Sequence, residues 1–294
     1  MVGYVIVNQT IGHNQYKIDR FKEEFSKKGI SLNVLVNDGT LAKIENNNVI
    51  INFPKGDFVL YLDKDIYLAR LLEKAGYRLF NNADFIKMCD DKMLTFIRCA
   101  NEDINMIKTI AGPLVYVDKL EEHHYDFLDK VINEIGFPMV VKKVYGSLGE
   151  GVYLVNNKEE LKKLYSEIYR FPILFQEYME SSKGKSVRVL VIDKKVVGAF
   201  ERFNTTDFRS NFSEAASSRK LDNNSKFVQI AEKIVQKLDI LYAGLDFLYD
   251  KNGNPILCEI NSNAFFEEFE KVTKINVAKL YRDMIIRKVE HEQE

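Results

Sequence analysis

Along this chain the apolar positions come in short blocks, and their period changes after residue 80. The run YVIVN (4–8) is continuously apolar, which suits a strand covered on both faces. In QYKIDRFKEEFSKKG (15–29), Ile18, Phe21 and Phe25 recur at helical spacing and Gly29 closes the segment. SLNVLVN (31–37) and DFVLYLD (57–63) read as further strands, NNNVIIN (46–52) as a strand after a turn, and DIYLARLLEKAGY (65–77) as a helix that stops at Gly76. This alternation predicts a small open α/β domain with parallel strands over residues 1–83.

From NNADFIKMCDDKMLTFIRCANE (81–102) onward, short helices alternate with paired strands: PLVYV (113–117), MVVKKV (139–144), GVYLV (151–155), ILFQEYM (173–179), SVRVLVI (186–192) and KVVGAFER (195–202). The link between MVVKKV and GVYLV is too short for a crossover, so these two form an antiparallel hairpin. A second hairpin turns at Asp193-Lys194-Lys195, and a third, within LDFLYDKNGNPILCEIN (245–261), turns at Asn252-Gly253. SKFVQIAEKIVQKLDI (225–240) is a helix packed between hairpins. The expected architecture is α/β followed by α+β, with the later part divided at residues 84–175 and 176–294.

Composition excludes more than it names. With 46% hydrophobic residues over 294 positions, the chain can bury a substantial core. Its 42 basic and 43 acidic residues nearly cancel, so no overall charge draws it to nucleic acid or an anionic membrane. No apolar run approaches the ~20 residues that span a bilayer, and MVGYVIVNQT lacks a charged lead and a cleavage site. Cys89, Cys99 and Cys258 are odd in number and lack metal-ligand spacing, which reads as reduced core thiols. His123 and His124 are expected at a solvated helix start. The expectation is a cytoplasmic protein with neither a nucleic-acid nor a membrane partner.

Three of the 15 glycines, Gly146, Gly149 and Gly151, crowd into VVKKVYGSLGEGV (140–152) directly behind Lys142 and Lys143. A flexible hairpin tip accounts for one or two of them. A loop whose bare amides cap a polyphosphate, with a lysine on the preceding strand, accounts for all three. Neither a Walker loop nor a dinucleotide fingerprint fits, because both open a helix and Gly151 leads into a strand. The glycines alone leave both readings open.

Other segments add parts. Lys92 in DDKMLT is a second cation at a helix start, and FQEYM (175–179) ends a strand where main-chain groups can meet a purine edge. ERFNTTDFRSN brings Arg202 and Arg209 within one short stretch, followed by Ser210 and Asn211. Asp246 in GLDFL, with Glu259 and Asn261 in CEIN, gives three oxygen donors on two strands of one hairpin. Glu259 and Asn261 are two apart and share a face. Hard oxygen donors of this kind suit Mg²⁺ together with substrate phosphates. The plainer readings are Arg202 as an ion-pair partner of Glu201, Phe175 as a core aromatic, and Asn211 as a turn cap.

In order, DDKMLT, PMVVKKVYGSLGEGV, FQEYM, VRVLVI, ERFNTTDFRSN, AGLDFL, EINSN and FEKVTKINVAKLY resemble the ATP-grasp fold, and within it the RimK-like carboxylate–amine ligases. The likeness runs from about residue 81 to residue 285, and that family also carries a small α/β domain ahead of the grasp. The resemblance implies that Lys92 and Lys142 contact ATP phosphates beneath the loop holding Gly146, Ser147, Gly149 and Gly151. It places Glu177 and Tyr178 at adenine and ribose, Ser186 beside the nucleotide, and Arg209, Ser210 and Asn211 on the phosphate side. Asp246, Glu259 and Asn261 would hold two Mg²⁺ ions, with Mn²⁺ as a substitute. The implied chemistry is formation of an acyl phosphate and ADP, then attack by an amine, with Arg202 and Arg209 balancing charge. The implied substrates are small-molecule or peptide carboxylates and amines, with glutamate ligation as the pattern, and a dimer or tetramer is expected. A phosphotransferase acting on a hydroxyl, and a nucleotide-binding regulator, are the alternatives.

The chain departs from that family in three places. Ser186 stands where an acidic residue often contacts nucleotide. FSEAASS follows RSN in place of small, glycine-containing residues. Ser262, Asn263, Ala264 and Phe265 follow Asn261 in place of a Pro-Gly turn. The last two segments border the acceptor side, so the substrate pocket is the part particular to this chain.

Overall fold

The computed structural model describes residues 1–9, 11–147, 149–210 and 217–291. Four parallel strands, β1 (Val2–Val7), β2 (Ser31–Val36), β5 (Phe58–Tyr61) and β6 (Leu79–Phe80), form a first sheet in the order β2-β1-β5-β6. Helix α1 (Gln15–Ser26) buries Ile18, Phe21 and Phe25 against it, as their spacing predicts. Helix α2 (Ile66–Lys74) covers the other face, its start capped by Asp65 accepting from the Tyr67 and Leu68 amides. NNNVIIN does not join the parallel sheet. Its core, β4 (Asn48–Ile51), pairs with β3 (Ala42–Glu45) as a separate antiparallel hairpin closed by Asn46 and Asn47 at positive φ.

Helices α3 (Ala83–Asp90) and α4 (Lys92–Cys99), capped by Asn82 and Asp91, lead to a second, antiparallel sheet. It contains β7 (Thr109–Ala111), β8 (Met139–Lys143), β9 (Val152–Val155) and β10 (Ile173–Glu177) in the order β7-β10-β8-β9. Helices α5 (Asp126–Ile135) and α6 (Lys158–Ile168) cover one face and share its core with Phe175 and Tyr165. PLVYV is not a strand. The chain pairs with β10 just ahead of it, over Thr109–Ala111, and leaves the sheet at Gly112, before Pro113, which has no N–H to offer a ladder. Beyond it Tyr116 is 89% exposed, so those apolar residues have no surface to cover.

The third sheet is antiparallel: β11 (Lys185–Ile192), β12 (Lys195–Phe203), β13 (Ser217–Leu221), β14 (Tyr242–Tyr249) and β15 (Pro255–Asn261), in the order β13-β12-β11-β14-β15. Helix α7 (Lys226–Lys237) packs on one face, and α8 (Glu267–Thr273) and α9 (Val277–Glu290) pack toward the other. The core under α9 is continuous with that of the first sheet: Phe21, Phe25 and Phe58 share it with Phe266, Phe269 and Tyr281. A buried ion pair, Arg282 Nη1 to Glu24 Oε2 at 3.0 Å, and a partly buried one, Arg20 Nε to Glu270 Oε2 at 3.0 Å, tie α1 to this part of the chain. The first eighty residues are thus packed into the body, and α1 lies against the segment that follows β15.

Candidate active site

Between the second and third sheets lies a cavity of about 520 Å³, roofed by the β8–β9 hairpin. The hairpin pairs Lys142 with Val152, and beyond that pair the Lys143 amide donates to the Gly151 carbonyl at 2.8 Å. Gly146 at φ +152° and Gly149 at +78° shape the tip, where a residue with a side chain would be strained. The Lys142 ammonium reaches past the strand to within 3.8 Å of Cys258 Sγ. Lys92, the first residue of α4, donates to the Val144 and Gly146 carbonyls at 3.2 and 2.9 Å and so pins the hairpin base. Burial pushes the Lys92 pKa down, and the nearby Lys142 and Lys64 push the same way against the pull of Glu259.

The floor is a row of paired residues across four strands. Register places Arg202 opposite Ser186, Arg188 opposite Asp246, and Asp246 opposite Glu259. In an antiparallel sheet such partners share a face, so the row points one way. Arg188 holds Asp246 with two parallel bonds, Nε to Oδ1 at 2.8 Å and Nη2 to Oδ2 at 2.6 Å, and Arg202 Nη2 adds a third contact at 3.1 Å. Burial alone raises the Asp246 pKa, but the two guanidiniums outweigh it and hold the carboxyl below its ordinary value. Arg202 also donates from Nε to Ser186 Oγ at 3.0 Å, and Ser186 and Ser210 share a 2.5 Å hydrogen bond. Glu201 points to the opposite face, where it accepts from Tyr249 Oη and pairs with Arg219, so Arg202 is not its partner.

Asn261 donates from Nδ2 to Asp246 Oδ2 at 3.1 Å. Glu259 has no hydrogen bond or ion pair among the described residues and faces the cavity. Two carboxylates and a carboxamide on one face form a hard-oxygen set, with Glu259 open to a ligand. A donor set of this chemistry fits Mg²⁺.

The structure gathers most of the residues singled out from sequence. Lys92, Lys142, Gly146, Ser147 and Gly149 line the roof, and Glu177 and Tyr178 line the end of β10. Ser186, Arg202, Arg209 and Ser210 line the wall and Asp246, Glu259 and Asn261 the floor. Gly151 stands behind the tip, outside the lining, and Asn211 lies outside the described residues. Glu177 is tied through its main-chain amide to the Lys108 carbonyl at 3.3 Å, and Tyr178 meets Phe208 edge-on. Arg209 pairs with Asp207 and donates from Nη1 to the Gly149 carbonyl at 2.9 Å, joining wall to roof.

Several lining residues escaped the sequence reading. Arg188 had a visible signal, a cation between Val187 and Val189 on Ser186's face of an apolar strand. Gln176 lines the cavity with its Oε1 unpartnered among the described residues. Cys258, expected as a core thiol, instead lines the cavity beside Lys142, whereas Cys89 and Cys99 are buried. Asn14 and Lys64 come from the first sheet's loops, which no local pattern connects to the cavity.

Residues 90–285 match the model of the RimK-like ATP-grasp domain. The chain is 32% identical over 255 residues to the uncharacterized protein MG012 homolog of Mycoplasma pneumoniae (strain ATCC 29342 / M129 / Subtype 1), covering 84% of this chain and 87% of the relative. It is 35% identical over 213 residues to a probable alpha-L-glutamate ligase of Enterobacter sp. (strain 638), covering 71% and 67%. Among solved structures, the D-alanine–D-alanine ligase of Bacillus anthracis superposes with a TM-score of 0.70 at 21% identity, over 99% of this chain and 98% of that one, which shows a shared fold. No helix among the described residues is long and apolar enough to cross a membrane.

Proposed function

Because the chain belongs to the RimK-like ATP-grasp family, we propose that it joins a substrate carboxylate to the amine of an amino acid, with ATP converted to ADP and phosphate. The supporting observation is the convergence of Lys92, Lys142, Arg188, Arg202 and Arg209 on one cavity whose floor carries Asp246 and Glu259. That balance fits a triphosphate and a carboxylate, both anionic, with acidic donors left for a divalent cation. The likeness to a probable alpha-L-glutamate ligase makes glutamate the amine to test first.

In this reading the substrate carboxylate oxygen attacks the γ-phosphorus, the bond to the β–γ bridging oxygen breaks, and ADP leaves. The amine then attacks the acyl carbon, phosphate departs with the C–O bond electrons, and the ammonium proton is lost. Positioning and charge neutralisation carry most of such a reaction. Lys92 and Lys142 would contact phosphate oxygens, and Glu177 and Tyr178 would flank the adenine and ribose. Arg188 and Arg202, fixed by Asp246, would face charge building on the carboxylate. Asp246, Glu259 and Asn261 would hold Mg²⁺, which supplies neutralisation of phosphate oxygens when bound. The glycine hairpin, latched by Arg209, would keep water from the acyl phosphate.

The test is an incubation of the full chain with ATP, Mg²⁺, hydroxylamine and a panel of carboxylates. Hydroxamate formed together with ADP, and dependent on one carboxylate, is expected. ADP release that needs only a hydroxyl compound, or no carboxylate-dependent hydroxamate from any panel member, overturns the proposal.

A further inference from the structure

Every oxygen lone pair of Asp246 is already engaged. Oδ1 accepts from Arg188 Nε at 2.8 Å and lies 3.1 Å from Arg202 Nη2, while Oδ2 accepts from Arg188 Nη2 at 2.6 Å and from Asn261 Nδ2 at 3.1 Å. An ionised carboxylate offers about four acceptor positions, so two nitrogen neighbours on each oxygen fill them. A divalent cation needs one of the same lone pairs. As these side chains stand, Asp246 is committed to its nitrogen partners, and Glu259 is the floor carboxylate open to a cation.

The strands are built to let Arg188 make this reach. It crosses from β11 to its register partner on β14, and Gly244, two residues before Asp246 on the same face, leaves it room. A Cβ at Gly244 would fall 3.3 Å from Arg188 Nε and 3.4 Å from its Cδ. The Arg188 and Asp246 side chains are 11% and 8% exposed, so water does not stand in readily for the two charge-assisted bonds. A guanidinium drawn off its carboxylate in that setting is a buried charge without a partner, which is strongly unfavourable. A cation arriving alone would have to break the fork and leave Arg188 in that condition, with its own two charges alongside. A cation arriving with an anion would not, because the anion takes the guanidinium as the cation takes the carboxylate.

We propose that Arg188 locks the cation position: its fork holds Asp246 closed to a free divalent cation and yields it when the polyphosphate of a nucleotide reaches the guanidinium. Cation and nucleotide are then taken up together, rather than cation first. The assignment rests on reading this floor as a cation site within the ligase, and it adds what controls access to that site.

The probe is Mn²⁺, and its binding to the full chain without nucleotide is read by electron paramagnetic resonance. Arg188→Lys keeps the charge and loses the fork. It should bind Mn²⁺ roughly tenfold or more tightly than wild type, the scale on which partners of a metal-binding carboxylate alter affinity. Charge repulsion alone predicts no change in that variant. Arg188→Gln and Arg202→Gln each remove one charge beside Asp246, but the first also removes the fork, so its Mn²⁺ affinity should rise by the larger factor. That pair decides the question even if Arg188→Lys folds poorly by circular dichroism. With a non-hydrolysable ATP analogue present, the gap between wild type and Arg188→Lys should narrow to within about twofold, as linkage requires when the anion has already released the fork. Equal affinities of wild type and Arg188→Lys without nucleotide, equal rises in the two glutamine variants, or a gap that persists with the analogue each overturns the lock. Failure of the underlying reading shows separately, as nucleotide binding by wild-type protein that is indifferent to Mn²⁺ and Mg²⁺.

Discussion

Arg188 and Asp246 face each other across neighbouring strands and meet through two parallel hydrogen bonds of 2.8 and 2.6 Å, at a site where both side chains are nearly buried. The pair does two things at once. It keeps a carboxylate ionised beneath the cavity, and it keeps a guanidinium at fixed orientation where substrate charge would gather.

Removing one member leaves the other as a poorly compensated buried charge. Arg188→Leu should therefore destabilise the protein by about 3 kcal/mol, a typical cost of breaking a buried pair, although Arg202 still contacts Asp246. The pH sign follows from the depressed carboxyl. Asp246 contributes stability above its ordinary value of 3.8 that is lost as pH falls through its lower folded value. In Arg188→Leu burial gains the upper hand, and the acid-unfolding transition should move to higher pH. Urea titrations across the acid range measure both effects, and an unmoved acid transition would show that the pair does not hold Asp246 ionised.

The hairpin tip gives a second expectation. Gly146 has φ +152°, and a Cβ there would fall 2.9 Å from the Glu150 carbonyl oxygen. Gly146→Ala should weaken binding of an ATP analogue at least tenfold, while strain of about 1–3 kcal/mol stays confined to the tip. Gly253→Ala is the control: φ is +74°, nothing lies within 4 Å, and the turn is remote from the cavity lining. Calorimetry on both variants should find nucleotide affinity changed in the first and kept in the second.

Arg209 joins the wall to the roof through the Gly149 carbonyl, so it reports on closure. Arg209→Ala should loosen the hairpin and let water reach the acyl phosphate. The expected outcome is ADP released in excess over amide, with total turnover lowered by roughly 10²-fold or more, the scale seen when one stabilising donor is removed. Parallel assays of ADP and amide decide it. A ratio that stays at one would mean the latch does not exclude water.

Periodicity foretold the parallel sheet and the three late hairpins because those strands are long, apolar and bounded by turn residues. It misplaced β7 because PLVYV is as apolar as a strand, and only partner geometry shows that the sheet ends at Gly112. Within the cavity, residues on glycine turns or at strand ends were legible, since their spacing carries local meaning. Arg188 was passed over although it shares a face with Ser186. Asn14 and Lys17 were not legible at all: they sit at the start of an ordinary amphipathic helix, and the bonds of Lys17 go to Asn263, some 246 residues away in the chain. Contacts of that kind exist only once α1 has packed against the body.

Lys17 provides the last expectation, which concerns stability. Methionine keeps the apolar stem and close to the volume while removing the charge. Replacing a buried, unpaired ion by an apolar group of similar shape is often stabilising. The Lys17 pKa falls from 10.5 to about 7 on folding, so the unfolded chain binds the extra proton between those values. Stability linked to this group is therefore fully present above 10.5, declines as pH falls toward 7, and stays low below it. Lys17→Met should consequently melt higher than wild type at pH 6 to 7, with a gap of a few kcal/mol that narrows as pH rises toward 10. Thermal unfolding of both proteins over that range measures the gap directly. A variant less stable than wild type at pH 6 would mean that the Asn263 bonds outweigh the buried charge.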